Sequence, residues 1–375
     1  MKRYNGIDVI RGISMWLMIA GHLIDWWIKQ EFYWHKHQMY SILEPIVSTG
    51  FLFASGISAA LSYKTSLSRI KIINISKLSQ VRNEYMFRAF FILIIGFIYN
   101  FCIGLFYQGF YSLWSWYVLQ TIGFCLIFTW PFLKTPIYFR LIFGFFILII
   151  NPFIFEFLTS YEGQSNFFGY TFYFLYHPAD QYTILSFFSI FLIGTVLGEI
   201  LFDLNTIDDQ NERRVKFKNH FVIPTLGFGG VLIIFGLIFM FPNFLIMRTF
   251  SSFIYSLGVI IVLLSILIAI QEFQLITTKK SYKFLYYYSY YSFTIYLTHN
   301  FLFFLFSDEF NVFTIRVAII ITTTLLGALL NFIHKRIGKK ASLKAVIGIF
   351  SSELAKKIAI KSQYKFDKTK DIKVS

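Results

Sequence analysis

Along almost its whole length the chain repeats one pattern, an apolar run of about 20 residues followed by a short polar break. Runs of that length cross a bilayer as helices, because a backbone in lipid must satisfy its own hydrogen bonds. The runs are solidly apolar rather than alternating, which argues against a transmembrane β-barrel. Only 14% of the 375 residues are charged, well below the share in a soluble domain. The expected fold class is all-α, a polytopic integral membrane protein with about ten transmembrane helices in one bundle.

The runs place spans at 7–27, 42–63, 86–106, 113–133, 138–158, 183–202, 221–240, 250–271, 284–306 and 312–334. Basic residues test this order. With a cytoplasmic N-terminus, the inner segments hold Arg69, Lys71, Lys77 and Arg82, then Lys134, then Arg213, Arg214, Lys216 and Lys218, then Lys279 and Lys280. The outer loops hold little beyond Lys29, Lys36 and Arg248. That alternation puts both termini in the cytoplasm and the protein in the cell membrane, multi-pass. The first run lacks a small-residue cleavage site and reads as a retained anchor. Cys102 and Cys125 fall inside spans without metal-ligand spacing and read as small apolar groups.

Residues 1–335 form one transmembrane domain, and 336–375 a basic cytoplasmic tail. After His334 the tail carries twelve Lys or Arg against Glu353, Asp367 and Asp371. Leu343, Val346, Ile347, Phe350, Leu354 and Ile358 recur at helical spacing, as in an amphipathic helix on the anionic inner leaflet. Membrane attraction accounts for this charge, and no nucleic-acid partner is expected.

One span breaks the apolar pattern. IDVIRGISMWLMIAGHLIDWW, residues 7–27, carries Asp8, Arg11, His22 and Asp25. A charge at bilayer depth costs roughly 2.5–3.5 kcal/mol, so such residues usually serve a function. Arg11 and His22 are eleven positions apart, about three turns, and lie on nearly one line. In the ninth span Ser289, Ser292, Tyr296 and His299 share a stripe. His299 falls at a depth similar to that of His22, so the two imidazoles can face one cavity if their helices touch.

Three further groups draw attention. The first outer loop, KQEFYWHKHQMY, holds His35 and His37, with Glu31 and Glu44 nearby. A lone His-x-His is weak as a metal site and no metal is predicted; a general base is the better reading. The outer loop 160–182 lacks Lys and Arg and offers Tyr161, Glu162, Asn166, Tyr170, Tyr173, His177 and Asp180. It reads equally as a sugar-binding surface or an interfacial aromatic belt. The inner basic set Arg69, Lys71, Lys77, Arg82 and Arg88 fits topology alone, or the phosphates of a nucleotide-like donor.

Arg3, Ile7, Asp8, Arg11 and Gly12, then Met18 and His22, resemble the first helix of the transmembrane acyltransferase superfamily. That superfamily includes acyltransferase family three and the heparan-alpha-glucosaminide N-acetyltransferase-like proteins. GFLFASGISAALSY (50–63), FRAFFILIIGFIYN (87–100), WYVLQTIGFCLIF (116–128), FFSIFLIGTVLGEIL (187–201) and YSYYSFTIYLTHN (288–300) resemble its later helices in order. The resemblance spans about residues 3–310.

It implies transfer of an acyl group, most simply acetyl, from cytoplasmic acyl-coenzyme A (acetyl-CoA) to a hydroxyl or amine of a sugar-like or envelope acceptor. It makes His22 the candidate base, with Asp25 as its orienting carboxylate, and Arg11 a donor or structural contact. In the heparan branch the base sits in the first outer loop, which here holds His35 and His37. Arg82 and Arg88, six apart, stand where acyltransferase family three has a tight arginine pair. His299 is a further catalytic candidate, and Asp8, Ser292, Tyr296 and Glu44 are candidate substrate contacts. Direct transfer and a covalent acyl-histidine both fit. The rival classes are a secondary transporter of a small polar solute, which the absence of paired repeats disfavours, and a non-catalytic scaffold.

Overall fold

The computed structural model describes residues 3–70, 75–105, 116–176, 184–240, 250–275 and 282–374. The side chains of 40–45, 75–76, 240 and 362–374 lie outside it, Glu44 among them, as do His177 and Asp180. The chain runs α1 (Asn5–Trp27), α2 (Tyr33–Ser68), α3 (Ile75–Ile103), α4 (Val118–Phe132), α5 (Ile137–Thr159), α6 (Phe167–Leu175) and α7 (Ile184–Asn205). It continues through α8 (Gln210–Phe217), α9 (Ile223–Met240), α10 (Phe250–Phe273), α11 (Lys283–Tyr290), α12 (Ser292–Thr298), α13 (Val312–Arg336) and α14 (Leu343–Val374). Among the described residues no strand forms, and one bridge joins Ile28 to Phe310. The protein is an all-α polytopic membrane protein.

Among the described residues, eight helical stretches are long and apolar enough to span a membrane: α1, residues 46–68 of α2, α3, α5, α7, the α8–α9 run, α10 and α13. Two of the ten expected spans differ. The fourth is a helix of only 15 residues, α4. The ninth is not one rod: it breaks at Tyr291 between α11 and α12 and ends as a 3-10 turn over His299–Phe304. Tertiary hydrogen bonds converge on the break. The Tyr291 hydroxyl donates to the Gly338 carbonyl at 3.0 Å and meets His334 Nδ1 at 3.0 Å. Ser342 Oγ donates to the Tyr290 carbonyl at 3.0 Å. The loop expected over 160–182 contains a helix among its described residues: α6 forms there, with the Asn166 side chain accepting from the Gly169 amide at 2.8 Å.

The bundle is built around α7, whose apolar window is 83% buried against 17% for α13. Its nearest partner is α2, and small residues let the backbones touch. A Cβ on Gly56 would sit 2.1 Å from the Phe191 carbonyl oxygen, and one on Gly194 2.5 Å from that of Phe53. Polar ties reinforce this seam. Arg140 on α5, fully buried, pairs with Glu199 on α7, and Glu199 also pairs with Lys64 on α2. Arg140 additionally donates to Thr195 Oγ1 at 3.2 Å. The outward faces of α5, α9 and α13 present large apolar side chains such as Ile142, Ile238 and Phe313 to the lipid.

Overpacking of this kind costs about 1–3 kcal/mol or more. Gly194→Leu is expected to lower the thermal midpoint in detergent. Gly227→Leu is expected to leave it unchanged, since nothing lies within 4 Å of a Cβ there. Differential scanning fluorimetry of the two variants measures this; equal midpoints contradict the close α2–α7 seam.

Candidate active site

Two cavities stack along α1, each bounded by α1, α2, α3, α4 and the 284–304 segment, and the Phe51 ring lines both. The first, nearer the N-terminal end of α1, is a chamber of about 160 Å³. Arg11, Arg88 and Lys344 project into it among Ser55, Ser58, Ser62 and Ser292. Ser62 is exposed and marks its rim.

The sequence holds Arg11 in place from three sides. Its guanidinium donates to Ser58 Oγ at 2.5 Å and the Ala54 carbonyl at 3.3 Å, and lies 3.8 Å from Asp8 Oδ1. Asp8 accepts from Arg3 Nε at 2.8 Å and from Ser289 Oγ at 3.3 Å. Asp8, a candidate substrate contact, thus braces α1 against α11. Gly12 lets α11 close in, since a Cβ there would lie 2.2 Å from the Leu285 carbonyl oxygen. Arg88 and Lys344 have no carboxylate within ion-pair distance among the described residues. The chamber is therefore strongly cationic inside a low-dielectric bundle, where an anion is attracted more strongly than in water.

The second chamber, about 180 Å³, is aromatic and imidazole-rich. His22 on α1 and His299 have ring centroids 5.0 Å apart. Trp26 stacks on both, at 5.1 Å from His22 and 5.8 Å from His299. The backbone explains the meeting. The amides of Asp308 and Glu309 donate to the carbonyls of Trp26 and Trp27 at 3.3 and 3.1 Å, and Trp27 Nε1 donates to the Leu302 carbonyl at 3.1 Å. These bonds seam the end of the broken span to the end of α1.

His299 Nδ1 lies 2.7 Å from the Tyr296 carbonyl oxygen. A carbonyl only accepts, so Nδ1 carries the proton and Nε2 keeps its lone pair. Tyr296 packs on Tyr99 at 5.3 Å, and Asn300 Nδ2 donates to the Tyr99 hydroxyl at 2.7 Å. Asp25 also lines this chamber and is ion-paired with Lys36.

The structure thus brings together Arg11, Arg88 and Ser292 in one chamber, and His22, Asp25, Tyr296 and His299 in the next. It leaves other candidates outside. Arg82 is exposed and contacts Asn83 at 3.4 Å; six helical positions turn it about 120° away from Arg88. His35 and His37 sit at the start of α2 and line neither chamber. His35 is buried, and burial together with the Arg316 charge pushes its imidazole below the ordinary value. His37 is exposed. The aromatic groove on α6, with Phe167, Tyr170 and Tyr173, is separate from both chambers. Among the described residues no three His, Cys, Asp or Glu side chains cluster as metal ligands do.

Several lining residues carry little signal of their own in the sequence. Ser55, Ser58 and Ser62 are detectable there, since three- and four-residue spacing puts them on one face of α2. Phe51, Trp26 and Tyr99 are not distinguishable from ordinary aromatic packing. Lys344 is one cation among twelve in the tail.

A family model of the catalytic domain of heparan-alpha-glucosaminide N-acetyltransferase matches residues 3–239. The chain belongs to that family. The match covers Arg11, His22, Phe51 and Arg88 and stops before His299 and Lys344. Membership supports an acetyltransferase-like activity set in a membrane bundle. No curated protein matches the chain significantly.

Proposed function

We propose that this protein transfers an acetyl group from cytoplasmic acetyl-CoA to a hydroxyl or amine of a sugar-like acceptor at the cell envelope. Both termini then face the cytoplasm, with residues 1–335 as the catalytic bundle and 336–375 as its basic appendage. The observation that carries the reading is the stacking of a cationic chamber on an imidazole chamber, with one shared wall at Phe51. An acyl-CoA has the same polarity, phosphates at one end and a thioester at the other. Arg11 and Arg88 neutralise phosphate charge. A chamber of about 160 Å³ admits phosphate groups but not the whole donor, so the adenosine rests outside it. The acyl end points past Phe51 toward His22 and His299.

In the second chamber the acceptor oxygen or nitrogen attacks the thioester carbonyl carbon. His22 takes the acceptor proton, the carbon–sulfur bond breaks, and the departing thiolate receives that proton to leave as free coenzyme A thiol. His299, its tautomer set by the Tyr296 carbonyl, offers Nε2 as a hydrogen-bond acceptor that orients the acceptor's O–H or N–H. Two imidazolium ions 5.0 Å apart would repel, so at most one ring of the pair is an imidazolium at a time. Tyr99, Tyr296 and Trp26 give a sugar-like acceptor flat apolar faces beside polar groups.

A positioned base is worth about 10²–10⁴ in rate. With purified protein in liposomes, radiolabelled acetyl-CoA and glucosamine as probe acceptor, His22→Ala is expected to slow transfer by about that factor. Transfer at the wild-type rate removes His22 from the role, and solute flux without transfer replaces the enzyme reading by a transporter.

Phe51 makes a second prediction. Each added methylene in a tight apolar passage changes selectivity by about 10-fold or more. Phe51→Ala is expected to raise the butyryl-to-acetyl ratio of kcat/KM by at least about that factor. An unchanged ratio shows that the acyl chain does not pass this ring.

A further inference from the structure

We infer that the C-terminal basic segment is part of the donor site, with Lys344 as the third phosphate contact beside Arg11 and Arg88. This rests on the donor reading above. By sequence the segment is a peripheral tail, and it lies beyond the residues that the family model matches.

Its first helical turn, however, is locked to the elements that line the cationic chamber. The Thr294 hydroxyl on α12 donates to the Ala341 carbonyl at 3.0 Å, and the Leu343 amide donates to Thr294 Oγ1 at 3.1 Å. Ser342 Oγ, bonded to the Tyr290 carbonyl at 3.0 Å, also accepts from the Ala345 amide at 3.4 Å. From there α14 runs along α3, the helix that carries Arg88. Phe350 packs on Phe91 at 5.3 Å, and Ile347 and Ala355 are buried in the contact.

Lys344 therefore leaves α14 toward the bundle interior while most tail cations lie outside. It lines the chamber, and no carboxylate among the described residues reaches ion-pair distance from it. Burial, with Arg11 and Arg88 adding to it, pulls the ammonium well below its ordinary value. Arg11, paired with Asp8, stands with Arg88 and Lys344 among serine hydroxyls, and a phosphate ester would stabilise the charged forms of the three side chains. The shared chemistry of the ligand is a phosphate group, held either by a soluble donor or by a lipid headgroup. The depth of Ser292 and the approach to Phe51 favour the soluble donor.

Coenzyme A binding by the full chain, measured by isothermal titration in nanodiscs of neutral phosphatidylcholine, tests this. Loss of one charged contact corresponds to roughly a tenfold weaker Kd. Lys344→Met is expected to weaken binding by at least about that factor, and Lys344→Arg to restore most of it. The ligand-free thermal midpoint of both variants reports that they fold. With saturating acetyl-CoA, kcat of Lys344→Met should move far less than the donor KM.

Wild-type affinity in a folded Lys344→Met, with binding lost in Arg88→Ala, overturns the role of Lys344 and leaves the donor reading standing. Failure of the wild-type protein to bind coenzyme A overturns the donor reading and this inference together. An effect of Lys344→Met seen only after anionic phosphatidylglycerol is added reassigns the chamber to a lipid phosphate and overturns the inference.

Discussion

A guanidinium that is only 5% exposed within an apolar bundle is costly unless it is paired. Arg11 is that group. It is engaged by a backbone carbonyl and a serine hydroxyl of α2 and by Asp8 on its own helix. Asp8 in turn holds Arg3 and Ser289. One buried charge thus fixes how α1, α2 and α11 meet, and those contacts set the walls of the cationic chamber. Three turns further along the same helix, that arrangement delivers His22 to His299. The proposed donor-binding and proton-transfer ends of the site are thus two ends of one rod.

The stacked chambers divide the chemistry in a way that suits a membrane. Phosphate recognition needs positive charge and access from the aqueous side. Acyl transfer needs a neutral imidazole and exclusion of water, which would otherwise hydrolyse the thioester. Ser62 lies at the rim of the cationic chamber, and Trp26, Tyr99 and Tyr296 line the imidazole chamber. In the proposed reading, Phe51 between them lets the slender arm of a donor reach across while its charged groups stay behind. The tail helix α14 adds to this division, since among the described residues it brings Lys344 to the charged chamber and no side chain to the other.

Much of this is legible from residue spacing. Asp8, Arg11 and His22 lie on one face because eleven positions make about three turns. Their cost in lipid alone marks them as purposeful. The similar depths of His22 and His299 allow a shared cavity. That they meet depends on the hydrogen bonds between 308–309 and the end of α1, which no periodicity encodes. The apolar run 284–306 reads as one span because composition does not register a break at Tyr291, where Ser342 Oγ donates to the Tyr290 carbonyl and the Tyr291 hydroxyl reaches the Gly338 carbonyl. Arg82 and Arg88 both read as basic residues near an inner surface; only the helical phase of α3 separates them. Lys344 stays hidden because its amphipathic helix fits a membrane surface as well as it fits α3.

A structure of the protein with acetyl-CoA bound, in nanodiscs by electron cryomicroscopy, tests the central claim most directly. The account requires phosphate density beside Arg11 and Arg88, and the acetyl carbonyl beyond Phe51, next to the His22–His299 pair. Phosphates bound elsewhere, or an acyl end that stops in a chamber without either imidazole, contradict it.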